Sequence, residues 1–307
     1  MYNWYQRAAI CFVFLDDFTY QRDFTGIKNC RWFTRGWTLQ ELLAPSNLEF
    51  FDSEWKHFAN KSTLAGQIST ITGIQLQYLL QPEAIGLASI AKKMSWAAKR
   101  STTREEDMAY CLMGLFDINM PLLYGEGRKA FIRLQEEILR QSNDHTIFCW
   151  SWHASEDSEK VKNWHGCLAP NPANFLDGTH YAPTRRASGS IGIDFQITNG
   201  GLRIELPLLS SATGKLALAV LNVSDARDEH PQVALCLEKI DARLYARSSA
   251  LGAVIGVPET WTGHGEVVYL VHERNAERRS RSLYMNYPYT DVCNVFHLYL
   301  WRLDGYM

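Results

Sequence analysis

The sequence lacks most of the features that would place a chain in a special class. In its 307 residues no apolar run approaches the roughly 18 that a membrane-spanning helix needs. The opening stretch MYNWYQRAAICFVFLDD holds too short an apolar segment for a secretory signal. Neither sign of charge prevails: 31 Lys and Arg stand against 33 Asp and Glu, and the net charge of −2 removes the electrostatic term that drives non-specific phosphate binding. No nucleic-acid partner and no membrane are expected, and the basic cluster Arg274 to Arg281 reads as a solvated loop. Seven cysteines (Cys11, Cys30, Cys111, Cys149, Cys167, Cys236, Cys293) are odd in number, scattered and never spaced as Cys-x-x-Cys, which argues against both a disulfide framework and a zinc site. Free thiols in a reducing cytoplasm are the simplest account. Internal repeats and low-complexity tracts are missing, and so are the GxSxG elbow, HExxH, GxGxxG and the Walker loop.

What is there resembles an ordinary soluble globular protein, with 46% hydrophobic and 21% charged residues. The length fits two domains, each with a core that needs no staples. Two textures meet near residue 150. Before it the periodicity is mainly helical: a short helix at 2–10, a buried strand Cys11 to Leu15, a helix Arg35 to Leu43 closed by Pro45, and a strand Leu48 to Phe51. Further helices are expected near 62–72, 88–98, 104–116 and 126–141. Thr103 and Glu106 have the spacing of a capping box. Around the last helix Ala130, Phe131, Leu134 and Ile138 share one arc, and Arg133, Glu136, Glu137 and Arg140 the other, the solvated one. The expectation for residues 1–150 is an α/β layer.

Beyond residue 150 short β-branched and aromatic runs take over: Ile191 to Ile197, Leu202 to Leu208, Leu216 to Val223, Val233 to Ile240, Val267 to His272 and Val295 to Trp301. Asn199-Gly200-Gly201 supplies a hairpin turn between the first two. An all-β sandwich or barrel is expected for 151–307.

Few residues invite a chemical reading. Gly125-Glu126-Gly127 stands before a helix but without the rest of a phosphate loop. His153, His165 and Cys167 are close in sequence, yet their spacing matches no common metal pattern, and no metal is expected. The segment Arg35-Gly36-Trp37-Thr38-Leu39-Gln40-Glu41-Leu42-Leu43 is more informative. At 100° per residue, Leu39, Leu42 and Leu43 fill one arc and face the core, while Trp37, Gln40 and Glu41 lie on the opposite side. Two readings follow. Either Trp37 packs under a neighbouring loop and Glu41 is solvated, or the ring stacks on a planar ligand group while Glu41 contacts a ribose hydroxyl or stabilises a developing cation.

Three blocks carry a resemblance: RWFTRGWTLQELLAP, MSWAAKRSTTREEDMAYCLMGLF and NMPLLYGEGRKAFIRLQEEILRQSNDHTIFCW. They resemble the fungal heterokaryon-incompatibility (HET) family of vegetative incompatibility proteins, and GCLAP with GLRIELPLL resembles the β-rich domain that commonly follows HET. The resemblance implies a partial HET domain over 1–150 with a helical extension, lacking the family's first strand motifs, then an associated β domain over 151–307. It implies a cytoplasmic module that triggers growth arrest or cell death on non-self recognition, acting through a protein partner or self-association. HET domains have been related to TIR domains, some of which cleave NAD, so an incomplete TIR-like fold is implied as well. Trp37-Thr38-Leu39-Gln40-Glu41-Leu42 resembles the TIR tryptophan and catalytic glutamate, with Thr38 in place of the usual cysteine. Glu41 would then be catalytic and Trp37 and Gln40 would contact NAD, a substrate rather than a resident cofactor. A non-functional truncated paralogue is the remaining alternative.

Overall fold

The computed structural model describes residues 1–152, 164, 166–184, 195–211, 214–227, 232–248, 254–257 and 264–271. Packing divides them into two compact units, Met1–Ile138 with Pro170–Thr179, and Leu139–Ala169 with the described part of His180–Met307.

The first unit opens with helix α1 (Tyr2–Arg7), strand β1 (Cys11–Phe14), helix α2 (Thr38–Leu43) and strands β2 (Leu48–Phe51) and β3 (His57–Asn60). β1 and β2 run parallel and β2 and β3 antiparallel, giving the order β1-β2-β3. Parallel neighbours need a crossover between them, and the chain carrying α2 supplies it. Alternation sorts the strand residues: Val13, Leu48, Phe50 and Ala59 are buried, whereas Phe12 is exposed and meets Phe51 edge-on at 5.4 Å. On the same outer face Phe14 stacks on Trp55 at 4.3 Å.

Helix α3 (Lys61–Thr72) has clear ends. Asn60 caps its start by accepting from the Thr63 amide at 2.9 Å, and Gly73 ends it at φ 72°, the left-handed conformation that costs glycine least. It buries Leu64, Ala65 and Ile68 and packs against α4 (Leu76–Leu80). Helices α5 (Ile90–Ser95), α6 (Asp107–Tyr110) and α7 (Lys129–Gln141) follow.

Several helices are shorter than the periodicity suggests. The 104–116 helix is one turn of α6 followed by a 3-10 turn, Met113–Leu115. The capping box does not form: α6 starts at Asp107, and the Glu106 carboxylate instead accepts from the amides of Gly125 (2.7 Å) and Gly127 (3.0 Å). On α7, Glu136 is buried rather than solvated, and Arg133 is half-buried in an ion pair with Glu126.

The second unit holds β4 (Tyr181–Pro183), β5 (Gln196–Thr198), β6 (Gly201–Ser210), β7 (Leu216–Asp225), β8 (Gln232–Asp241), β9 (Leu244–Arg247), β10 (Val254–Val257) and β11 (His264–Leu270). β6 pairs with β7, β7 with β8, β8 with β9, β9 with β11, and β11 returns to β6. The sheet therefore closes on itself, which settles the sandwich-or-barrel alternative in favour of a barrel-like sheet. β10 adds to β8, β4 to β7 and β5 to β6. Residues 199–200 make the expected tight turn, and the positive angle falls on Gly201 (φ 135°). A Cβ there would stand 2.4 Å from the Leu270 carbonyl oxygen, so only glycine fits. The segment Val295 to Trp301, like His153, His165, Cys293 and Arg274 to Arg281, lies outside the described residues.

Candidate functional site

Helix α2 is too short to hold itself, and its neighbours fix it. The Thr38 hydroxyl shares its one proton between the carbonyls of Trp32 (2.5 Å) and Arg35 (2.8 Å) and accepts from Nη1 of Arg100 at 2.9 Å. That Nη1 also donates to the Arg35 carbonyl at 2.8 Å, and the Arg100 Nε to the Trp96 carbonyl at 3.3 Å. Gly36 donates its amide to the Ser101 carbonyl at 2.8 Å, and the Ser101 amide bonds to the Thr34 carbonyl at 2.7 Å. A side chain at Gly36 would put its Cβ 2.4 Å from Thr102 Cγ2. Glycine is what lets the two segments come this close.

Between these segments and the end of β1 lies a cavity of about 910 Å³. Trp32 and Trp37 contribute flat aromatic wall, Ser101, Thr102 and Thr103 hydroxyls, Arg31 and Arg35 positive charge, and Asp16 and Asp107 negative charge. Arg31 is committed to Asp16 at 2.5 Å and to Asp17 at 3.4 Å. The Arg35 guanidinium makes no hydrogen bond or ion pair among the described residues, so it is the cation left for a ligand. Such a wall suits a planar aromatic group joined to an anionic one.

The three residues singled out on α2 part company here. Trp37 is half-buried and lines the cavity. Glu41 is half-buried and does not line it, but it lies one bond behind the wall: its Oε2 accepts from the Trp32 indole N–H at 3.3 Å and its Oε1 from the Tyr5 hydroxyl at 3.4 Å. Gln40 corrects the helical-wheel expectation. It is buried, and its amide nitrogen donates to the Cys111 carbonyl at 2.7 Å, because the one-turn helix is enclosed on both sides rather than laid on a surface. Arg35 is exposed.

The electrostatics around Glu41 follow from burial. Loss of water raises the Tyr5 hydroxyl above its usual value, and the carboxylate of Glu41 raises it further. The Cys11 thiol shifts the same way for the same two reasons, in that order. Nearby Lys61 is buried and donates to the Pro45 carbonyl at 2.9 Å; its burial brings its pKa down to about 8.

The Gly125-Glu126-Gly127 turn also has an explanation. Its two glycine amides point at an anion, and that anion is Glu106 of the same unit. Among the described residues no group of His, Cys, Asp and Glu is placed to hold a metal ion. Sequence reasoning missed Trp32, the 101–103 hydroxyls and Tyr5. The paired Trp and Arg residues of RWFTRGW were a visible signal for the first. Nothing local points to Tyr5, which is 36 positions from its acid.

Comparison with known proteins adds two findings. Residues 129–210 match the family described as Domain of unknown function (DUF8212). The chain is 46% identical over 147 residues, 45% of its length, to the vegetative incompatibility protein HET-E-1 of Podospora anserina. The likeness to a fungal vegetative incompatibility protein is thereby shown for those residues, which span 11% of that relative. No solved structure matches. No helix among the described residues is long and apolar enough to cross a membrane.

Proposed function

We propose that the chain acts in fungal heterokaryon incompatibility, as a cytoplasmic module that arrests growth or kills the cell when unlike hyphae fuse. Residues 1–150 would be part of a HET domain with its helical extension, and 151–307 the β-rich domain that accompanies it. The observation that carries this reading is the 46% identity to HET-E-1. A module of this kind delivers its signal through a protein partner or by self-association. Expression of the chain in fungal hyphae tests it: growth arrest or death confined to fusions between unlike strains is expected. Normal growth in every fusion, with the chain present at ordinary abundance, overturns it.

A second reading has its own support in the geometry. The parallel β1 and β2 with α2 between them fit a TIR-like layer, and Glu41 sits behind a cavity walled by Trp32 and Trp37. In this reading the cavity takes NAD, with the nicotinamide or adenine ring on the indoles and a phosphate on Arg35. Breaking the ribose–nicotinamide bond sends the electron pair to nicotinamide and leaves an oxocarbenium-like sugar until water adds; Glu41, one hydrogen bond behind Trp32, would stabilise that charge through its field rather than by contact. Gln40 would hold α2 in place through Cys111 rather than touch NAD. Release of nicotinamide by the purified chain at high concentration, abolished in Glu41→Ala, is the expected result. No release, or release unchanged in Glu41→Ala, removes the hydrolase reading and leaves the incompatibility role intact.

A further inference from the structure

A second cavity in the first unit, of about 370 Å³, has a lining that includes Arg100, Arg128, Glu105 and the 101–103 hydroxyls. Its charge is unbalanced. Glu105 faces Arg128 at 4.0 Å across an exposed gap, too long and too wet to neutralise it fully. Among the described residues Arg100 has no carboxylate within ion-pair distance: its Nε and Nη1 donate to two backbone carbonyls and the Thr38 hydroxyl. Its Nη2 is buried with no acceptor, although Arg100 is only 7% exposed. Glu41 acts on it only from beyond ion-pair distance, and a buried guanidinium with an unused N–H group and no carboxylate in contact is costly unless something supplies both.

We infer that this cavity is a site for a small oxyanion, a phosphoryl or carboxylate group, held by Arg100 and Arg128 with the Ser101 and Thr103 hydroxyls as neutral donors, the Thr102 hydroxyl being committed to the Arg104 carbonyl at 2.5 Å. The anion brings the missing negative charge next to Arg100 and gives Nη2 its acceptor. Nη2 has no accessible surface of its own, so in this proposal the side chains over it move aside as the anion seats. Burial lowers the Arg100 pKa, and Cys111 and Glu41 partly offset it, bringing it to about 10, so the group stays charged at neutral pH. The site is separate from the Trp-lined cavity and owes nothing to NAD cleavage, although Ser101, Thr102 and Thr103 are common to both walls.

The test uses the full chain and inorganic phosphate as the probe, with chloride at matched ionic strength as the control. Phosphate at tens of millimolar is expected to raise the melting temperature by several degrees and to give a saturable heat in titration calorimetry. Arg128→Ala, at the exposed end of the cavity, should weaken phosphate binding at least tenfold while melting like the parent in chloride. Arg100→Lys keeps the charge but loses the fork, and should lose the phosphate effect even if its baseline stability falls. A purely structural Arg100 predicts lower stability with the phosphate response unchanged. Absence of a saturable phosphate effect in the parent, or an undiminished one in both variants, overturns the site.

Discussion

The two units satisfy their backbones by different means. In the barrel, strand neighbours supply almost everything: five strands close a ring, Leu202, Ile204 and Leu206 of β6 are buried in alternation, and β8 is buried on both faces from Val233 to Leu237. In the first unit much of the chain is turn and loop, and buried polar side chains take the place of the ladder. Asp52 accepts from the amides of Tyr20, Glu54 and Lys56, Glu106 from two glycines, and Gln40, Thr38 and Arg100 tie α2 to segments far away in sequence. The difference teaches where each unit is vulnerable: the barrel to loss of volume, the first unit to loss of a single polar atom. The barrel unit makes one exception. Arg247 is buried, donates to the carbonyls of Phe148 and Trp150, and lies over the Trp150 ring at 3.9 Å.

The largest effect should come from truncating the barrel core. Leu235→Ala on β8, at a site 1% exposed, should cost about 2–5 kcal/mol through lost burial and the cavity left behind. Hydrogen exchange read peptide by peptide shows whether the loss is confined to β6 to β11. A cost under about 1 kcal/mol would mean that the ring is too loosely packed for the comparison to hold.

Next comes the first unit's polar anchoring. Gln40→Leu keeps most of the volume but leaves the Cys111 carbonyl buried without its donor, and about 1–3 kcal/mol should be lost. Urea melts of parent and variant measure it. If the apolar replacement were neutral, the bond to Cys111 would be incidental and α2 would be held by its leucines alone.

A smaller effect separates the two units by pH. Three backbone amides, its own and those of Gly127 and Gly125, hold the Glu106 carboxyl below its ordinary value. Its contribution is full above the unfolded carboxylate range and is lost as pH falls through the lowered folded value. Glu238 on β8 has the opposite sign, because burial raises its pKa. The fold favours its neutral form, so its contribution is full at low pH and declines as pH rises through the folded value. Glu106→Gln should therefore be less stable than the parent at pH 7 and level with it in acid. Glu238→Gln should match the parent in acid and exceed it at pH 7. Swapped signs would break the contrast.

How much of this could be read in advance follows the same division. Alternation and turn residues mark strands directly, so β6, β7, β8 and β11 lie where the sequence puts them, and Gly201 takes the positive angle that its turn needs. Ring closure through β9 was not readable, since it depends on a parallel pairing with β11 that no local pattern signals. In the first unit Leu39, Leu42 and Leu43 are buried as the wheel requires. Burial of Gln40, Glu106 and Glu136 was hidden, because polarity predicts exposure and their partners are distant in the chain or across a turn. The Trp37 wall could be anticipated from its helix face. Trp32 was signalled only by the paired Trp and Arg residues of RWFTRGW, and Tyr5, which with Trp32 grips Glu41, by nothing local.

The smallest effect concerns charges on the outside. Arg31 pairs with Asp16 at 2.5 Å, but the two side chains are 71% and 57% exposed, so water and salt screen most of the attraction. Asp16→Asn should change stability by no more than about 0.5 kcal/mol in urea melts at physiological salt. The Arg31 amide stays fixed in any case, because it bonds to Asp17 at 2.8 Å rather than to Asp16. A loss as large as that of Gln40→Leu would mean that the first unit is held by its surface ion pairs. The contrast with the barrel would then be one of net charge and salt, and raising the salt concentration would weaken the first unit while leaving the second unchanged.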